Sequence, residues 1–164
     1  MASNDPLRQM AQCHEKIAAH LARLDALAAA GDGARAELEA ALPAMVRWFE
    51  TNGLRHRMDE EESLFPRLAA RFAGDGELTA GLRALAVEHR VEDALVAELA
   101  GIALGRAAPA SVRDIARRFV AHFRSHMEIE DHVVLPRASR ALGPDDLDAI
   151  AVEMESRRTE TPCA

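Results

Sequence analysis

Tyrosine is missing from these 164 residues, tryptophan occurs once and phenylalanine five times. With so few large aromatics, the apolar half of the chain is made mainly of alanine and leucine, both strong helix formers. No apolar run approaches the roughly 18–20 residues needed to cross a bilayer as a helix. The polar start, Met1 to Pro6, lacks the apolar stretch of a signal peptide, so a cytoplasmic location is expected. Nor is there a cluster of Lys and Arg. The formal net charge is −7 with histidine neutral, which argues against nucleic acid as a partner. Only two cysteines occur, Cys13 and Cys163, far too separated for a Cys-x-x-Cys metal site or a disulfide framework. Cys13 reads as a small buried hydrophobe and Cys163 as part of a loose tail.

What remains is enough for one all-α domain spanning 1–164. Asp5-Pro6 has the form of a helix start, an N-cap followed by proline in the first turn. Leu7, Met10, Ile17, Leu21, Leu24 and Leu27 follow at helical spacing as far as the turn cluster Gly31-Asp32-Gly33. A second helix is predicted from near 34–37, with Pro43 as a kink or first turn and a bend at Pro66. A third covers about 78–104, and a fourth about 111–135, where Pro136 repeats the situation of Pro66. Gly143-Pro144 opens a short fifth helix over about 144–157, and Arg157 onward is expected to fray. Four long helices with short linkers, over about 5–142, predict an up-down-up-down four-helix bundle with a short C-terminal fifth helix. Long amphipathic helices would also allow a homodimer, though nothing selects one.

Seven histidines stand among 27 acidic residues, and their placement is repetitive. His56 and Glu60, followed by Pro66, match His126 and Glu130, followed by Pro136. Phe49 and Phe119 each precede the histidine by seven residues. The first and third helices carry single histidines in a common frame, His14 ahead of Ala19 and Leu24, and His89 ahead of Ala94 and Leu99. This order implies two similar αα-hairpins about a pseudo-two-fold axis. Positions i and i+4 share a helix face, so each His-x-x-x-Glu can offer a nitrogen and a carboxylate to one metal, or to two neighbouring metals if the carboxylate bridges. With His14 and His89 the set is His14, His56, Glu60, His89, His126 and Glu130. Such groups on inward faces are costly without cations, and mixed imidazole–carboxylate donors suit Fe, Mn or Zn.

These residues resemble the hemerythrin-like HHE cation-binding domains, whose pattern is His, His-x-x-x-Glu, His, His-x-x-x-Glu, over about residues 8–142 here. The resemblance implies two iron ions in a non-haem di-iron centre bridged by Glu60 and Glu130. It also implies a protein that binds or senses dioxygen or a related small ligand such as nitric oxide. The alternative in the same family is an enzyme or iron-handling factor that turns over peroxide or nitric oxide or repairs iron–sulfur clusters. A zinc-stabilised bundle with no redox role is the structural alternative. The oxygen carriers have a pair of histidines four apart on the third helix; here the position four after His89 is Asp93 and the one four before is Leu85, so a fifth nitrogen is missing unless His122 supplies it. They also place the fourth-helix carboxylate five residues after the histidine, which makes Asp131 a rival to Glu130. His20 and His132 fall about 120° off the ligand face and are expected in solvent. Asp59, Glu61, Glu62 and Glu128 read as a charged outer face, and Met58 and Met127 as packing beside the site.

Overall fold

Asp5 starts the first helix as its sequence suggests. Its carboxylate accepts from the backbone N–H of Leu7 at 3.0 Å and of Arg8 at 3.4 Å, and Pro6, which has no N–H to satisfy, takes the first turn. In the computed structural model, which describes residues 5–30, 32–106 and 112–159, helix α1 runs Pro6–Ala29. Helix α2 covers 35–71 without interruption. It joins the α-helical segments Arg35–Trp48, Leu54–Met58 and Phe65–Arg71 through two wider π turns, Phe49–Gly53 and Asp59–Leu64. Helix α3 is Gly76–Ala103, capped by Asp75, which accepts from the Leu78 N–H at 2.9 Å. It ends where Gly105 takes a φ of 68°, so that the Arg106 N–H folds back onto the Gly101 carbonyl. Helix α4 covers 112–141, with Val112–Ile129 and Leu135–Ala141 joined by the π turn Glu130–Val134. Helix α5 is Pro144–Thr159. The described residues contain no strand, and no helix among them is long and apolar enough to cross a membrane.

The expected bends at Pro66 and Pro136 take a different form. Each helix continues, and the ladder widens just ahead of the proline. The Phe65 N–H reaches the Glu60 carbonyl, five residues back, and the Leu135 N–H reaches that of Glu130. Proline lacks a donor and its ring crowds the carbonyl four residues earlier; a π turn moves that register by one residue. Pro43 lies inside α2, not at its first turn.

Helix α1 packs against α2 and α4, and α3 packs against the same two. The buried side chains form two apolar clusters. One gathers Leu24, Phe49, Leu99, Phe119 and Phe123; the other gathers Met10, Leu68, Leu85, Ile150 and Met154. Every long helix carries its polar residues between the two. His14 falls between Met10 and Ile17, His89 between Leu85 and Leu95, Glu60 between Phe49 and Leu64, and Glu130 between Met127 and Val134. A band of buried polar groups thus crosses an otherwise apolar core.

Two expectations about the surface fail together. Asp59 belongs to no outer face: it is 0 % exposed. Its two oxygens each accept from an arginine at 2.9 Å, one from Arg157 and one from Arg158, both on α5. Arg157 also donates to Ser63 Oγ at 2.8 Å. The expected fraying at Arg157 is therefore absent, because these pairs hold α5 helical to Thr159. The tail beyond, with Cys163, lies outside the described residues, as does the linker at 107–111.

Candidate metal centre

The six histidine and glutamate side chains singled out by the repeat meet in the polar band, all buried. Glu60 divides its oxygens. Oε1 lies 3.1 Å from His56 Nε2 and 3.6 Å from His14 Nε2, while Oε2 lies 3.4 Å from His89 Nε2. Glu130 does the converse. Its Oε2 is 3.4 Å from His14 Nε2, and its Oε1 is 3.0 Å from His126 Nε2 and 3.9 Å from His89 Nε2. The imidazoles therefore form two pairs, His14 with His56 and His89 with His126, and each carboxylate faces both.

The far side of each ring is occupied as well. Nδ1 of His14 donates to Asp131 at 2.6 Å, that of His89 to Glu61 at 2.8 Å, and that of His126 to Glu88 at 2.8 Å. A carboxylate only accepts, so each of these Nδ1 atoms carries a proton and each Nε2 faces inward, where those of His126 and His89 lie 3.0 Å apart and share a proton. His56 has the Cys13 side chain beside it instead, which, after Glu60, helps to hold its pKa up against burial. These outer partners obey the repeat. The residue after each of these glutamates, Glu61 after Glu60 and Asp131 after Glu130, holds the single histidine of the opposite hairpin. The residue before each single histidine, Cys13 or Glu88, holds the His-x-x-x-Glu histidine beside it. Asp131 thus grips His14 from outside, and it is Glu130 that faces the inward nitrogens. Cys13 is half-buried against the core, as a small apolar residue would be, with this added contact.

The remaining histidines stay out of the band. His122 stacks over His126 with 6.4 Å between ring centroids. His132 is exposed and donates to the Glu128 carbonyl. His20, expected in solvent, is half-buried against Trp48 at 4.6 Å between centroids, because the second helix brings its tryptophan to that flank. Asp93, four residues after His89, turns outward to Arg57. Met127 is buried and lines the cavity beside the site.

Sequence reasoning passed over Glu92 and Glu88. Glu92 stands three residues after His89, hence on the same helix face, and one of its oxygens lies within 4.8 Å of a nitrogen of His89 and of His126. That spacing was the available signal. The chemistry of the set fits cations. His14 Nε2, Glu130 Oε1 and Glu92 Oε1 are buried and make no hydrogen bond, a costly condition that bound metal relieves.

Burial works against a proton on His14, but Glu130 and Glu60 outweigh it and hold its pKa at about 10. His126, likewise desolvated, is raised to about 9 chiefly by Glu130. Burial pushes the Glu92 carboxyl up to about 7, against the pull of His126 and His89. The cluster's acids thus favour positive charge on its imidazoles, whether protons or metal supply it.

The sequence model described as the Hemerythrin HHE cation binding domain matches residues 5–138. The chain belongs to the hemerythrin HHE cation-binding family. No curated protein matches it. In a hemerythrin-type domain with these raised histidines, a cation must displace protons. Metal affinity is expected to rise from pH 6.5 towards about 9, with protons released on binding. The linkage sign follows: raised histidine pKa values stabilise the chelator-treated fold fully below 6.5, and that contribution is lost as the pH climbs through about 9–10. Binding titrations at pH 6.5 and 8.5 with a proton indicator test this; equal affinities and no proton release would contradict it.

Proposed function

We propose that this chain is a single-domain non-haem di-iron protein that binds or senses dioxygen or a related small ligand such as nitric oxide. The observation that carries the reading is the division of Glu60 and Glu130 between two histidine pairs, the placement required of carboxylates shared by two metals. His14 and His56 would hold one metal, His89 and His126 the other. Iron is preferred to zinc or manganese on the family resemblance, since the donors alone suit all three. A pair of irons, when bound, supplies the redox change that small-ligand binding requires. The protein's part is to position and shield. The Nδ1 partners fix each imidazole, and Phe65 stacks on His89 with planes 5° apart. The adjoining cavity of about 40 Å³, walled by Ile17, Phe49, Val96, Phe123 and Met127, has room for roughly three water-sized molecules, which suits a diatomic ligand and not an organic substrate.

The alternation of apolar clusters along the helices supports an up-down-up-down course, which would bring all four histidine-bearing faces to one level. The cytosol suits such a chain. A second reading, turnover of peroxide or nitric oxide or handling of iron for cluster repair, is favoured by Asp93, whose outward turn leaves the centre one imidazole short of the oxygen carriers.

The deciding experiment is metal analysis with an optical spectrum of protein purified in air, beside a variant carrying His56→Ala and His126→Ala. Two irons per chain with near-ultraviolet charge-transfer absorption, both lost in the variant, are expected. Zinc, or a spectrum that the variant shares, would sink the di-iron reading. Peroxide consumption by the iron-loaded protein would move the function to the second reading.

A further inference from the structure

We propose that Glu92 is itself a metal ligand, a terminal carboxylate on the metal held by His89 and His126, and that the two metal positions are therefore chemically unequal. This rests on the two-metal reading and deepens it.

Three observations converge on Glu92. First, it is buried, 9 % exposed, and its Oε1 has no hydrogen-bond partner. The nearest ring nitrogen is His126 Nδ1 at 3.9 Å, and that position is already taken by Glu88 at 2.8 Å. Orienting His126 is thus another residue's task. Second, Glu92 borders the cavity that also exposes His56, His89, His126 and both bridging glutamates. A third buried carboxylate beside two others is unfavourable unless a cation shares the space.

Third, Glu92 breaks the symmetry of the centre. His14 corresponds to His89, His56 to His126, Glu60 to Glu130, Glu61 to Asp131, and Cys13 to Glu88. The counterpart of Glu92, three residues after the single histidine of α1, is Ile17, an apolar side chain 2 % exposed on the same cavity. One metal position thus has two nitrogens and two shared oxygens against an apolar wall. The other has the same set and a carboxylate of its own. The position at His14 and His56 is left the more open for an incoming small ligand.

The test is an anaerobic ferrous iron titration of the chelator-treated full chain, with stoichiometry and stepwise affinities, for the parent and for Glu92→Gln, alongside thermal melts with and without iron. The parent should bind two irons. Glu92→Gln should bind one iron, that at His14 and His56, as the parent does and the other at least about tenfold more weakly, since even outer partners of metal ligands are worth 10–100-fold. Without iron the variant should melt no lower than the parent, because the lost charge was an unfavourable one; the rise in Tm on adding iron should shrink. Two irons bound by Glu92→Gln at parental affinities would overturn the role of Glu92 and leave the two-metal reading intact. A parent that binds fewer than two would overturn both. If Glu92→Gln melts well below the parent without iron, Glu92→Asp decides: one weakened iron beside one of parental affinity supports the assignment, and parental affinity for both overturns it.

Discussion

A chain carrying both Glu60→Gln and Glu130→Gln is expected to take up no iron under conditions that fill two positions in the parent. The amide keeps the size and packing of the side chain, so far-ultraviolet circular dichroism should still report a helical fold. What disappears is the negative charge that all four inward imidazole nitrogens face. With neutral amides in place, burial, the largest influence on His14 and His126, is opposed only by the outer acids, Asp131 on His14 and Glu88 and Glu92 on His126, and the affinity of both rings for positive charge, proton or metal, falls. The single variants make the sharper comparison. Since the oxygens of Glu60 serve different histidine pairs, Glu60→Gln alone should weaken both irons, by about tenfold or more each. A single variant that keeps one iron at parental affinity and loses the other would show that this carboxylate belongs to one metal only.

The second large effect concerns stability. Replacing Arg157 and Arg158 with alanine leaves Asp59 buried and stripped of both its arginine partners. Orphaning a buried charge costs about 3–5 kcal/mol. For a domain of this length that lowers Tm by roughly 6–20 °C, at about 2–4 °C per kcal/mol. Adding Asp59→Asn to the same chain should recover part of the loss, because the stranded charge is then gone. Thermal and urea melts of chelator-treated protein provide the measurement. A double-arginine variant within about 1 kcal/mol of the parent would mean that the cluster behaves as an exposed ion pair. Since Asp59 adjoins Glu60 in the same π turn, the arginine variant should also release iron faster than the parent.

The reach of the sequence follows from what periodicity can encode. The repeated His-x-x-x-Glu, the matched single histidines and the apolar rows are all statements about which residues share a helix face, and the structure brings those residues together. Acidic residues are harder to read, because a buried carboxylate and a solvated one have the same local pattern. Asp59 sits in a run of four acids, and only the arginines almost 100 positions away on α5 reveal it as buried. Glu92 and Glu88 were hidden the same way, flanking a histidine on a helix that is otherwise conventionally amphipathic. The π turns Asp59–Leu64 and Glu130–Val134 left one trace, a proline ten residues after His56 and after His126, which signals a disturbed ladder without saying whether it breaks, bends or widens. His20 shows the remaining limit. Its angle on α1 was readable, but the arrival of Trp48 beside it is a matter of how two helices dock.

The crossed outer partners have a bearing on how the centre comes into being. Asp131 on the second hairpin sets the ring of His14 on the first, and Glu61 on the first sets that of His89 on the second. Neither hairpin alone fixes the tautomer of its own single histidine. A chain emerging half-complete, or opened along that seam, would present imidazoles free to swivel and trade protons. Readiness to capture metal is thus tied to closure of the two halves, and a loaded centre in turn acts as a clasp across them.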